Sequence, residues 1–234
     1  MIDDVLWLIT ARSGSKSIKN KNIKLLGEYP LFYYIYNSVK KISPNDNIWG
    51  STDSKEYMKI FNDFGLTTPF IRPKELAEDH SSSTDVVLHA LNYAEKIGFK
   101  KKYIGLLEPT SPFVSSSDLS NALKTLKSNK LSNSVVATVE SRPNSFFVQD
   151  ESKYLNTFFE KLKENKDKLG RQQFKKQITA SGGFYICEWE KFKKTNTFYN
   201  HNTISFELDE MKGLEIDEPI DWEFAEFLIK KINE

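Results

Sequence analysis

Four short stretches carry charges and hydroxyls at spacings that could do chemistry on a phosphate or a sugar. The first is Ala11-Arg12-Ser13-Gly14-Ser15-Lys16, with Lys21-Asn22 just beyond it. Successive backbone N–H groups in such a turn can converge on one anion. Gly14 lets backbone come close to a ligand, and Arg12, Lys16 and Lys21 add the positive charge that a phosphate chain needs. The stretch is not an ATPase-type P-loop, because Ser15 separates Gly14 from Lys16 and Ile9 stands where that motif requires glycine. The second stretch is Glu215-Ile216-Asp217. Carboxylates two residues apart in extended chain point to one side, where they repel unless a cation sits between them, and hard oxygens of this kind suit Mg²⁺. The third, Leu107-Glu108-Pro109-Thr110-Ser111-Pro112, offers a carboxylate and two hydroxyls between rigid prolines, a set that a polyhydroxylated ligand could use. The fourth comprises two hydroxyl-rich loops, Ser51-Thr52-Asp53-Ser54 and Ser81-Ser82-Ser83-Thr84-Asp85. Each stretch also has a plainer explanation: a solvated basic loop, an acidic strand end, a structural turn, a pair of helix caps.

Position separates these readings. Val5 to Ile9 is a continuous apolar run, the pattern of a strand buried on both faces of a parallel sheet. In open α/β sheets ligands bind beyond the carboxyl ends of such strands, and the first stretch begins there. Residues 103–107 form a second buried strand that the prolines of the third stretch terminate. Helical spacing runs over residues 31–42, with Pro30 as a start residue, and over 54–64, 85–97, 117–127 and 221–232; weaker strand patterns cover 47–51, 133–140 and 183–187. This alternation predicts a three-layer α/β domain. Residues 150–176, rich in Lys and Glu, break the rhythm and read as an excursion from the sheet. Asp221 reads as the N-cap of the last helix.

The global composition leaves anion binding to a local site. Thirty-three basic and 32 acidic residues give a net charge of +1 over 234 residues, no footprint for nucleic acid or an anionic membrane. The single cysteine, Cys187, excludes an internal disulfide framework and reads as a buried apolar residue. The acidic start Met1-Ile2-Asp3-Asp4 lacks the basic opening of a signal peptide, and the apolar runs are too short to span a bilayer. A soluble, cytoplasmic protein is expected.

In order and spacing, these segments resemble the acylneuraminate cytidylyltransferases, the CMP-sialic acid synthetases. The matching pieces are residues 11–16, Lys21-Asn22-Ile23, residues 51–54, Arg72-Pro73-Lys74-Glu75-Leu76-Ala77, residues 81–85 and 107–112, Arg171-Gln172, Gly182-Gly183-Phe184-Tyr185-Ile186 and Ile216-Asp217. The resemblance implies one Rossmann-like three-layer domain over residues 1–234, of the nucleotide-diphospho-sugar transferase fold. It also implies a dimerisation excursion over residues 140–180 that reaches toward the active site of a second copy. It implies CTP cradled by Ala11, Arg12, Ser13, Gly14, Ser15, Lys16 and Lys21, with Asn22 and Ser82 on the nucleoside. Glu108, Arg171 and Gln172 fall on the sugar side, and Asp217 with Glu215 on Mg²⁺. Arg12, Lys16, Lys21 and Asp217 become the residues that carry catalysis: attack of the anomeric hydroxyl of an acidic nine-carbon sugar on the α-phosphorus of CTP, with pyrophosphate leaving.

Departures from the family pattern are Lys19 in place of proline, Phe113-Val114 in place of Leu-Arg, Ser181-Gly182 in place of Asn-Gly, and Glu215 in place of a frequent aspartate. They bear on which sugar is used: N-acetylneuraminate, or a legionaminate or pseudaminate relative. Kdo-activating or neutral-sugar nucleotidyltransferases, and a catalytically silent binding module, are the competing readings. His80, His89 and His201 lie outside the matched charges.

Overall fold

The computed structural model describes residues 1–142, 144–164 and 174–233. Its centre is a six-stranded sheet. The strands are β1 (Val5–Thr10), β4 (Ile48–Ser51), β5 (Tyr103–Leu107), β6 (Ser134–Glu140), β7 (Ile178–Glu188) and β8 (Ile204–Glu207), with β2 (Leu25–Leu26) and β3 (Tyr29–Pro30) pairing separately as a small hairpin. Their order across the sheet is β4-β1-β5-β7-β6-β8. β1 runs parallel to β4 and β5, and β6 runs parallel to β8; β7 is antiparallel to both its neighbours. Five strands therefore point one way and β7 points back. The carboxyl ends of β1 and β5 emerge side by side, because Ile9 is in register with Leu107.

Alternate residues of each strand face opposite sides, and both sides are covered. On one side Trp7, Ile9, Phe184 and Ile186 pack with Phe32 and Tyr36 of α1 (Leu31–Lys40), Phe61 of α2 (Lys55–Asp63) and Leu119 and Leu123 of α4 (Ser116–Ser128). On the other, Leu6, Leu8, Leu106 and Cys187 pack with Val87 and Leu91 of α3 (Ser83–Lys96) and Trp189 and Phe192 of α6 (Trp189–Thr195). These are the expected three layers. Cys187 is fully buried, and burial pushes its thiol up to about 12, which fits a packing role.

A third cluster positions the site. Ile18 from the basic turn, Leu26 and Leu31 pack against Ile216 and against Trp222, Ala225 and Ile229 of α7 (Pro219–Asn233). Ile216, flanked by the two acidic residues, is fully buried there. Apolar contact thus draws the acidic segment onto the basic turn although about two hundred residues separate them in the chain.

Several expectations are corrected. β7 begins at Ile178, five residues ahead of the predicted 183, because its first part pairs with β6 through Thr138, Val139 and Glu140. α6 and β8 were not expected. Pro30 stands at the N-cap of α1 rather than inside it. Asp221 lies in the first turn of α7, where its Oδ2 accepts hydrogen bonds from the N–H groups of Asp217 (3.0 Å) and Glu218 (2.7 Å). The excursion leaves at the end of β6 and returns in β7. Its described part holds α5 (Asn156–Glu164) and an aromatic cluster of Phe146, Phe147, Phe158 and Phe174. Tyr154, Leu155 and Phe159 on it are exposed.

Candidate active site

A cleft of about 410 Å³ opens at the carboxyl ends of β1 and β5. Its wall includes Arg12, Ser15, Lys16, Lys21 and Asn22 from the basic turn, Glu108 and Thr110 from the end of β5, and Glu215 and Asp217 from the segment before α7. Arg12 and Asp217, far apart in sequence, therefore face one space.

The turn is braced from behind. Ala11 is buried and its N–H bonds Ser51 O at 2.9 Å. Both donors of Ser13 go to Asp53: the N–H to Oδ1 at 2.9 Å and the hydroxyl to Oδ2 at 2.8 Å. Asn22, also buried, donates from Nδ2 to Arg12 O at 3.2 Å. Ala11 and Ser13, expected as nucleotide contacts, brace the turn from behind the cleft, whereas Asn22 both braces it and lines the cleft with Arg12, Ser15 and Lys16. A methyl group on Gly14 would meet nothing within 4 Å, so the space beside it is open. Burial pushes the Asp53 carboxyl up, but the bonds from Ser13 and the nearby Arg72 charge outweigh burial and hold it below the ordinary value.

Lys21 joins the two ends of the chain. Its stem is buried and its Nζ donates to Ile216 O at 2.7 Å and to Asp217 Oδ1 at 3.0 Å. Ser17 donates to Asp217 O at 2.7 Å. Glu215 turns toward β7, accepting the Gly182 N–H at 2.6 Å. Gly182 sits in a crowded spot: an added methyl would lie 2.8 Å from Glu215 Oε2 and 3.1 Å from Glu108 Oε2, so these two carboxylate tips would have to give. Both carboxylates thus press on the same glycine. Burial first, then the negative charges of Glu215 and Asp217, push the Glu108 carboxyl up to about 7, against an opposing pull from Lys21.

Glu215 and Asp217 both bring hard carboxylate oxygens to the cleft, the donor type that Mg²⁺ takes, so the residues fit the ion. Among the described residues no three metal-binding side chains close on one point. Asp217 and Glu215 would then supply one or two ligands, with the remainder from substrate and water, as is usual for this ion.

Ser82 caps α3: its Oγ accepts from Asp85 N at 3.1 Å and bonds Asp85 Oδ2 at 2.8 Å, while Ser81 and Ser83 on either side line the cleft. Arg171 and Gln172 lie outside the described residues. Two residues given no role in the sequence reading stand out. Arg72 is buried, lines the cleft, and keeps Nε and Nη2 without a hydrogen-bond partner among the described residues, 3.9 Å from Asp53 Oδ1 at its nearest ion pair. Burial lowers its guanidinium to about 10. Asp79 pairs with both Arg12 and Lys16. Arg72 was visible only as part of a matched motif; nothing local marks it as buried.

A basic turn and a set of carboxylates facing each other across the carboxyl edge of a doubly covered α/β sheet define a Rossmann-like protein that handles nucleotide phosphates. The cytidylyltransferase family model matches residues 6–231. The chain belongs to that family. It is 28% identical over 98% of its length to an N-acylneuraminate cytidylyltransferase of Escherichia coli, of which it spans only about half, 53%. It is 26% identical over 97% of its length to a CMP-N,N'-diacetyllegionaminic acid synthase of Legionella pneumophila, covering 96% of that protein. A solved structure of a CMP:2-keto-3-deoxy-manno-octonic acid synthetase complexed with CTP shares the fold, with a TM-score of 0.68 at 14% identity over 97% of this chain and 99% of that one.

Proposed function

We propose that this chain transfers CMP from CTP to the anomeric hydroxyl of a nonulosonic acid, forming the CMP-sugar and releasing pyrophosphate. The observation that carries the reading is Lys21, whose ammonium ties the basic turn to Asp217 so that phosphate-binding cations and carboxylates share one cleft. Reactions at phosphorus depend mainly on alignment and charge neutralisation. Arg12 and Lys16 supply the neutralisation, stabilising charge on the departing pyrophosphate. Lys21 orients Asp217, and Asn22 keeps the turn in shape around the nucleoside. Asp217 and Glu215 are the residues that would hold Mg²⁺, which would supply charge neutralisation for the phosphates and acidify the attacking hydroxyl. Glu108 and Thr110 face the sugar from the end of β5, with Arg171 and Gln172 assigned to the same substrate from the excursion.

The names of the Escherichia coli and Legionella relatives support an acidic nine-carbon sugar. Among the described residues no helix is long and apolar enough to cross a membrane. The reading extends to a cytoplasmic homodimer formed through the excursion, whose exposed Tyr154, Leu155 and Phe159 offer apolar surface to a second copy. Purified protein with CTP, Mg²⁺ and N-acetylneuraminate, diacetyllegionaminate or pseudaminate should release pyrophosphate with at least one of them. Silence with all three, beside turnover with Kdo or a neutral sugar phosphate, would replace the reading. Light scattering at twice the chain mass checks the dimer.

A further inference from the structure

Arg12 and Lys16 are the outward cations of the basic turn, with side chains 38% and 77% exposed. Both are already engaged within the chain. Arg12 Nη1 lies 2.7 Å from Asp79 Oδ1, and Lys16 Nζ pairs with Oδ2 of the same carboxylate. One acid thus bridges the two cations, an oxygen to each, in the manner expected of a phosphate group. Asp79 belongs to the loop between the single helical turn Lys74–Leu76 and α3, and it lines the cleft with its two partners. Lys16 and then Arg12 hold its carboxyl below the ordinary range, so it stays charged at neutral pH.

A phosphate chain entering the cleft needs the same N–H groups. Exposed ion pairs of this kind are weak, whereas a multiply charged phosphate makes shorter and stronger bonds to Arg and Lys. The carboxylate cannot remain beside the polyanion without repulsion. We propose that Asp79 is a positioning residue acting through Arg12 and Lys16: it holds them side by side while the phosphates are absent, yields them when phosphates enter, and takes them back as pyrophosphate leaves. The proposal rests on the reading that phosphates bind the basic turn. Its consequence is a sign. An acid that must be displaced weakens phosphate binding, whereas an acid that stays in place to support Arg12 and Lys16 strengthens it.

Titration calorimetry with inorganic pyrophosphate distinguishes the two. Asp79→Asn should bind pyrophosphate about three- to tenfold more tightly than the parent chain, the weight of one or two exposed ion pairs, and Asp79→Glu should restore parental binding. Glu78→Gln is the control. It removes one charge from the same loop and cleft, but Glu78 pairs with His80 rather than with either cation, so its gain should be smaller. In turnover, Asp79→Asn should lower KM for CTP and sharpen product inhibition by pyrophosphate. Equal or weaker pyrophosphate binding by Asp79→Asn, or an equal gain in Glu78→Gln, overturns the proposal. A parent chain that turns over CTP while Asp79→Asn gains no affinity sinks this proposal alone; a parent chain that binds pyrophosphate yet transfers no CMP sinks the functional reading and leaves the sign test intact.

Discussion

The two walls of the cleft carry opposite charge and are made in opposite ways. The basic wall is largely local: Arg12, Lys16 and Lys21 come from one turn leaving β1, and Asn22 braces it. The acidic wall is stitched from distant pieces, with Glu108 at the end of β5, Gly182 in β7, and Glu215 and Asp217 ahead of α7. Their charge balance also differs. Asp79 meets Arg12 and Lys16, and Asp53 faces Arg72. On the acidic side the buried Glu108 carboxyl is pushed up by burial and by the charges of Glu215 and Asp217, with Lys21 as the cation paired to Asp217. A compensated wall is ready to exchange one anion for another, whereas a wall of compressed like charges is relieved by a bound cation.

The widest break between the walls should come from removing one charge from each. Arg12→Ala and Asp217→Ala should each cut turnover about a hundred- to a thousandfold, the range found for a single group that stabilises developing charge. Their ligand dependence should differ: Arg12→Ala loses affinity for inorganic pyrophosphate without metal, and Asp217→Ala loses it only with Mg²⁺ present. Steady-state kinetics and calorimetry check this, and identical behaviour of the two variants would dissolve the distinction.

Glu108 reports burial, sharpened by the negative charges of Glu215 and Asp217. Its carboxyl is pushed from 4.5 to about 7, so between those values the folded chain binds a proton that the unfolded chain has released. Stability then falls as pH rises through that window. Glu108→Gln removes this dependence. Relative to that variant, the parent chain should lose up to about 3 kcal/mol between pH 4.5 and pH 7.5, measured by urea unfolding at the two values. A constant difference would show that Glu108 is not under strain.

Gly182→Ala tests the same wall sterically. The added methyl must push aside the carboxylate tip of Glu215 and, by less, that of Glu108, at a cost of about 1 kcal/mol, the low end of overpacking, and it should weaken the Mg²⁺ dependence of turnover. The same change at Gly14, where the space is open, should leave stability almost unchanged, as thermal unfolding of the two variants will show.

The contrast between the walls also explains what could be read before the structure. The basic turn is legible because a buried apolar run ends at it, and both features are contiguous. β1 and β5 were expected almost residue for residue for the same reason. β7 was placed too short because its opening residues, Ile178 to Ala180, are exposed and carry no burial pattern. β8, Ile204–Glu207, has two apolar residues in four, too brief a signal for a strand. Glu215 and Asp217 were found as a pair, but their crowding with Glu108 arises only when β5, β7 and α7 come together. Arg72 and Asp79 were missed for a related reason. Neither the burial of one nor the bridging by the other exists until the loop before α3 folds over the turn.

The smallest effect concerns how the compensated wall is held, and it falls on Asp53. This carboxylate accepts both donors of Ser13 and faces the Arg72 guanidinium. Asn in its place keeps one acceptor, turns the other into a donor aimed at Ser13, and leaves Arg72 buried without its counter-charge. Asp53→Asn should therefore destabilise the chain by about 1–2 kcal/mol at pH 7, the scale of a lost charge-assisted hydrogen bond. The sign with pH follows from the lowered carboxyl of Asp53: its contribution is present above the unfolded carboxylate value of 3.8 and disappears as pH falls through the folded one. The gap between parent and variant should thus close on acidification, opposite in direction to the Glu108 comparison, in which the parent gains on its variant as pH falls from 7.5 toward 4.5. Chemical unfolding of both pairs across pH 3–8 sets the two walls against each other. If, on acidification, the parent chain gained stability relative to both variants or lost it relative to both, the opposed assembly of the walls would be refuted.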